Sequence, residues 1–188
     1  MQVDLTALPG VLLVTPRRFG DARGWFMETY SAPRMAKAGL QHLTWVQDNH
    51  SFSAAKGTLR GLHYQAPPRA QDKLVRCSRG AIFDVAVDFR LGSPTFANWV
   101  GVELTADNGR QLLVPKGFLH GFVTLTEDTE VQYKCSDTYA PEYDGAVRWD
   151  DPEIGVDWGV VAPVLSDKDA RAPLLKDAPR PFRWEGIR

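Results

Sequence analysis

Histidine and cysteine are scarce in this chain, long apolar runs are missing, and neither sign of charge prevails. Its 188 residues carry 22 lysines and arginines against 23 aspartates and glutamates, a formal net charge of −1. Such a balance leaves no basic footprint for a nucleic-acid backbone and no polybasic patch for an anionic membrane surface. No stretch approaches the roughly 20 apolar residues that span a bilayer. The first residues, Met1 to Thr6, have neither the basic start nor the apolar run of an export signal, so a cytoplasmic protein is expected. The two cysteines, Cys77 and Cys135, are far apart and have no metal-ligand or CxxC spacing, which makes them small buried hydrophobes rather than ligands or redox partners. Only four histidines (His42, His50, His63 and His120) are available to any metal.

Helical periodicity is also scarce. From Val11 to about Cys135 the chain alternates in short runs broken by Gly, Pro, Asn and Asp, the rhythm of a β-sandwich or barrel. One short helix is predicted over Pro33 to Ala38, with Pro33 in its first turn and Gly39 as its stop. Arg76 to Gly80 reads as a hairpin turn into a strand over Ala81 to Phe89, with one face packed and the other carrying Asp84 and Asp88. Further strands are expected at Trp99–Thr105, Gln111–Val114, Gly121–Thr126 and Thr129–Ser136, with a turn at Asp107–Gly109. From Tyr139 onward, prolines at 141, 152, 163, 173, 179 and 181 forbid long elements and predict a tail of turns and short helices wrapped on the sheet. The length suits one domain over residues 1–188.

What is present concentrates in one segment, LRGLHYQ (59–65), followed by KLVR (73–76). Read with strict period-two alternation, Arg60, Leu62 and Tyr64 share one face, while His63 shares the other with Leu59 and Gly61. An imidazole among small and apolar neighbours is either satisfied by a backbone group or has a chemical task. A second segment, GRQLLVPKGFLH (109–120), resembles the second cupin motif. Its Pro115 and Gly117 make a tight turn between two strands, and His120 points into a barrel. Thr124 stands where that motif ends in Asn. The first cupin motif would need His-x-His, but Gln65 follows His63 by two residues, and a neutral amide is a poor replacement for an imidazole ligand. No metal site is therefore expected.

Several segments together resemble the dTDP-4-dehydrorhamnose 3,5-epimerase (RmlC) family. They are FGDARGWFME (19–28), VQDNHS (46–51), the LRGLHYQ and KLVR runs, DVAVDFR (84–90), SPTF (93–96), GFLHGF (117–122), Tyr133-Lys134, WDDP (149–152) and LSDKD (165–169). The resemblance runs from about Val11 to Pro173. It implies an all-β cupin-like jelly-roll barrel (a double-stranded β-helix) with a few short helices and an irregular C-terminal tail. It also implies epimerisation at C3 and C5 of a dTDP-linked 4-keto-6-deoxyhexose, in dTDP-L-rhamnose biosynthesis and without a cofactor. By the same resemblance His63 is the base and Asp169 orients it, Tyr133 is the acid from the opposite face, and Lys73 steadies the enolate oxygen. Arg23 and Arg60 match positions that hold the diphosphate, where a guanidinium fork suits the oxygens. Glu28, Gln47, Asp48, Asn49 and Lys168 match further substrate contacts, and His120 is expected either to share the work of Lys73 or to bind a substrate hydroxyl. Asp144 stands where the family commonly has Glu followed by a polar residue, and Asp84 is expected to orient His120 or Lys73. The family's dimers exchange strands, with the Arg23 region reaching a neighbouring site, so a homodimer is expected. Three readings compete with this one: a monoepimerase acting at C3 or C5 alone, a metal-dependent cupin enzyme, and a non-catalytic sugar-nucleotide binding module.

Overall fold

The computed structural model describes residues 1–186. In chain order its strands are β1 (Gln2–Leu5), β2 (Leu12–Thr15), β3 (Arg18–Asp21), β4 (Gly24–Met27), β5 (Gln47–Ser53), β6 (Leu59–Gln65), β7 (Lys73–Arg79), β8 (Ala81–Asp88), β9 (Trp99–Thr105), β10 (Gln111–Val114), β11 (Phe118–Thr124), β12 (Thr129–Cys135) and β13 (Asp144–Ala146). Helix α1 (Ala32–Lys37) precedes β5, and the four-residue α2 (Asp167–Ala170) lies in the tail. The strands form a six-stranded sheet in the order β1-β2-β10-β7-β12-β5, a five-stranded sheet in the order β13-β6-β11-β8-β9, and the separate β3-β4 hairpin.

Strands β5 to β12 pass back and forth between the two large sheets, which is the winding of a jelly roll. This corrects the hairpin expected at Arg76 to Gly80. There β7 runs on to Arg79, and Gly80 alone carries the chain across to β8 in the other sheet. Alternation along a strand reports faces but not partners, so a corner between sheets and a hairpin look alike in sequence.

Three apolar clusters follow from this arrangement. Between the sheets lie Val75, Ile82, Ala86, Leu104, Leu112, Val114, Phe118, Phe122 and Val131. The outer face of the five-stranded sheet presents Leu59, Leu62, Val85, Val87, Phe89 and Leu119, and the C-terminal tail covers it with Ile154, Trp158, Leu175 and Phe182. Helix α1 covers part of the other sheet's outer face by setting Met35 against Val14, Leu74 and Leu113. Fully burying each large apolar side chain contributes ~1.5–3 kcal/mol. Both faces of β8 are thus closed from water, and Asp84 and Asp88 are 0% exposed rather than solvated. Asp88 accepts hydrogen bonds from Arg90, Ser93 and Thr95. Cys77 and Cys135 are both buried. No helix among the described residues is long and apolar enough to cross a membrane.

Candidate active site

The site begins with a fault in the alternation of β6. Its register with β11 pairs His120 with His63 but Phe122 with Arg60, so three steps on β6 answer two on β11. This is a β-bulge, with one extra residue in one strand. Gly61 there has φ +133°, and a Cβ on it would lie 2.6 Å from the Gly121 Cα, so glycine is required at this crossing. The bulge reverses the phase of the strand. Arg60 and His63, expected on opposite faces, both turn into the barrel, while Leu59 and Leu62 pack on the outer face.

The resulting cavity has a volume of about 390 Å³ and brings together Arg60, His63, Lys73, His120, Tyr133, Lys168 and Asp169. An adjoining lobe of about 400 Å³ shares His63, Lys73, Tyr133 and Lys168, and adds Gln47, Asn49, Tyr139 and Asp144. His63 and His120 stand on the five-stranded sheet, Lys73 and Tyr133 on the six-stranded sheet.

His63 Nε2 lies 2.5 Å from Asp169 Oδ1, at the short end of charge-assisted hydrogen bonds. Asp169 is 3% exposed and is fixed by a helix cap: Ser166 Oγ accepts the Asp169 backbone N–H and donates to its Oδ2. Burial alone would push this carboxyl up. The His63 hydrogen bond and charge, with Ser166 and Lys168, outweigh it and hold the carboxyl below its usual value. An ionised Asp169 accepts a hydrogen bond from Nε2–H and so leaves Nδ1 as the nitrogen with a free lone pair. His120 makes a similar pair, Nε2 to Asp84 Oδ1 at 2.8 Å, wholly buried. The second Asp84 oxygen has no hydrogen-bond partner among the described residues.

Burial pushes the Lys73 ammonium below its usual range, with Cys135, Asp144 and Asp84 pulling the other way. Burial likewise raises the Tyr133 phenol, Cys135 adding to the shift and Arg60 opposing it. Arg60 donates to Ser53 Oγ and the Phe52 carbonyl, which aims its guanidinium across the mouth. Lys168 closes an ion pair with Asp144, which also accepts from the Tyr139 hydroxyl at 3.4 Å. The shorter Asp144 therefore does reach the cavity.

Strand β5 divides its expected site residues. Gln47 and Asn49 face inward, whereas Asp48 faces out and pairs with Lys134 at 2.9 Å. Arg23 sits at the β3-β4 tip with its side chain 90% exposed and bound only to Asp21, and Glu28 pairs with Arg34. Neither lines the cavity of its own chain. Tyr139 and Gln65 were not expected at the site. Tyr139 is 57% exposed at the mouth, an unusual place for a large aromatic unless a ligand covers it. Among the described residues no cluster of three or more His, Cys, Asp or Glu comes together as metal ligands do.

Comparison with known proteins bears on this geometry. Residues 5–177 match a family model described as dTDP-4-dehydrorhamnose 3,5-epimerase. A Salmonella typhimurium protein of that name is 51% identical over 179 residues, covering 95% of this chain and 97% of the relative. A solved structure of dTDP-6-deoxy-D-glucose-3,5-epimerase from Legionella pneumophila, in complex with dTDP-4-keto-L-rhamnose, superposes with a TM-score of 0.94 at 42% identity, covering 98% of this chain and 99% of that one. A dTDP-4-dehydrorhamnose 3-epimerase from Streptomyces niveus stands further off, at 38% identity over 95% of this chain and 86% of the relative.

Proposed function

The chain belongs to the dTDP-4-dehydrorhamnose 3,5-epimerase family, and from that premise we propose how its cavity does the chemistry. The reaction converts dTDP-4-dehydro-6-deoxy-D-glucose to dTDP-4-dehydro-L-rhamnose. The observation that carries the reading is the placement of His63, backed by Asp169 from α2, on one sheet and of Tyr133 on the other, with a single cavity between them.

A ketone at C4 acidifies the hydrogens at C3 and C5. The Nδ1 of His63 removes the proton from one face, and Asp169 stabilises the imidazolium that results. The C–H electron pair becomes an enolate with its charge on the C4 oxygen. Lys73 and His120 meet that charge from a site sheltered from bulk water, where such contacts are worth most. The Tyr133 phenol then returns a proton to the opposite face of the same carbon. One C–H bond is broken and one formed, so electrons balance without a redox partner. Solvent then takes the proton from His63 and returns one to the Tyr133 oxygen, and repetition at the second carbon completes the inversion.

Arg60 supplies the guanidinium that suits a diphosphate. The exposed ring of Tyr139, beside Gln47 and Asn49, offers a stacking face and amide groups to a pyrimidine base. Arg23 and Glu28 lie outside the cavity of their own chain, and their hairpin exposes Phe19, Trp25 and Phe26. Those facts support a homodimer in which the hairpin of one protomer reaches its partner's site. The unpaired Cys77 and Cys135 suit a reducing compartment, and we place the enzyme in the cytoplasm.

The reading is tested by incubation with dTDP-4-dehydro-6-deoxy-D-glucose in deuterium oxide, followed by mass spectrometry. Two carbon-bound hydrogens exchange if both C3 and C5 are inverted. One exchanged hydrogen marks a monoepimerase, and none overturns the epimerase reading.

A further inference from the structure

Gln65 closes β6 at 5% exposure, two residues after His63, yet its amide spends its hydrogen bonds on main chain and not on the groups around His63. Each polar atom of its amide is engaged by main chain. Nε2 donates to the Arg69 carbonyl and to the Thr138 carbonyl, the latter at 3.0 Å, and Oε1 accepts the Ala140 N–H at 2.9 Å. The last two bonds bracket Tyr139, taking the carbonyl before it and the N–H after it. A strand partner in a sheet ladder engages the same two groups, so the side-chain amide stands in for a missing strand.

The N–H of Tyr139 itself goes to Gln47 Oε1 at 2.9 Å, and Gln71 Nε2 donates to the Asp137 carbonyl at 2.8 Å. Arg69 forks onto the Asp137 carboxylate at 3.0 and 2.8 Å. A loop with no ladder of its own is thus held from β6 and β5, one in each sheet, and only the Tyr139 ring is left to project into the mouth. Anchoring of this kind costs order at folding instead of at binding, which raises affinity without new ligand contacts.

We propose that Gln65 is a positioning residue for nucleotide recognition, fixing the backbone of Tyr139 so that its ring stands ready for the base. This rests on the reading of the cavity as a nucleotide-sugar site. Its ligand chemistry is the pyrimidine base of a nucleoside diphosphate, met by the Tyr139 ring that Gln65 holds.

The test compares wild type, Gln65→Met, Tyr139→Ala and the double variant in steady-state kinetics and in calorimetric titration with dTDP and with inorganic pyrophosphate. Gln65→Met is expected to raise KM for the substrate and Kd for dTDP about tenfold, the order of one base-stacking contact, with its effect on pyrophosphate binding within about twofold of wild type. Most of the loss in kcat/KM then comes through KM. In the Tyr139→Ala background Gln65→Met adds little, because the residue it positions is gone. Gln65→Glu keeps the shape and the acceptor but sets an oxygen against two carbonyls. It should reproduce the defect if Gln65→Met does not fold. A fall in kcat with KM unchanged, equal weakening of dTDP and pyrophosphate, or additive effects with Tyr139→Ala would each overturn the proposal. Failure of the wild type itself to bind dTDP would instead overturn the reading of the cavity.

Discussion

Replacement of Asp169 by Asn isolates the charge behind the His63 imidazole, the base in the proposed mechanism. The variant keeps the shape of the side chain and the backbone N–H that Ser166 caps, so α2 and the cavity wall should persist. What is lost is the negative partner of His63 at 2.5 Å, in a place 3% exposed where no water can substitute. A hydrogen bond to a charged group contributes ~1.5–3 kcal/mol, and each ~1.36 kcal/mol is tenfold in rate. The expected loss of kcat is therefore roughly 10- to 150-fold. If the amide turns its NH₂ toward His63, the wrong ring nitrogen carries the proton and the loss lies at the upper end. The assay is deuterium incorporation from solvent at C3 and C5 by mass spectrometry, with dTDP affinity measured alongside. Exchange at both carbons should fall by a common factor, since one base serves both, while dTDP affinity changes little. A rate within about threefold of wild type would refute the assignment of Asp169. Loss at only one carbon would refute a shared base.

Three further outcomes are expected. Lys73→Met should lower kcat by about 10²–10³-fold, the worth of one preorganised oxyanion contact, and a mere rise in KM would remove Lys73 from that role. Tyr133→Phe should leave loss of the substrate's C–H hydrogens to solvent largely intact while slowing formation of inverted product; equal impairment of both steps would argue against the phenol as acid. Asp88→Asn should cost about 3–5 kcal/mol at neutral pH, as breaking a buried ion pair does. Burial favours protonation of Asp88, but Arg90, Ser93 and Thr95 outweigh it and hold the carboxyl below its ordinary 3.8. The stabilisation is therefore full above that value and is lost as pH falls through the lower folded value. The gap between the denaturant midpoints of wild type and variant should narrow progressively as pH is lowered below 3.8; a constant gap would refute this.

The strands were legible because half-buried β-structure alternates, and the Pro115–Gly117 turn placed His120 inside as its spacing implied. The partners were not. Which strand crosses to which sheet depends on closure of the whole barrel, and Arg76 to Gly80 carries no local mark distinguishing a corner from a hairpin. The pairing of His63 with Asp169, 106 residues away, was legible only through resemblance. A local signal for α2 did exist: Ser166 followed three residues later by Asp169 is a capping pattern. Gln65 was read for the imidazole it is not. Its work on the 137–140 loop had no trace in sequence, since an amide that satisfies remote main chain looks like any other polar residue at a strand end. Arg23, Glu28 and Asp48 matched motif positions, yet one chain alone does not bring them to its cavity.

The bulge at Gly61 makes the orientation of His63 a matter of counting. Side chains before it and after it obey opposite parities, so Arg60 and His63, three residues apart, both face inward only because β6 carries one residue more than β11 across this stretch. Most sites tolerate a conservative exchange better than a drastic one. Here the most drastic lesion would alter no chemistry at all: flattening the bulge with every residue kept would set Arg60 and His63, three residues apart, on opposite faces of a regular ladder and turn one of them onto the apolar outer layer. In this strand, backbone register encodes function as directly as the identity of any side chain.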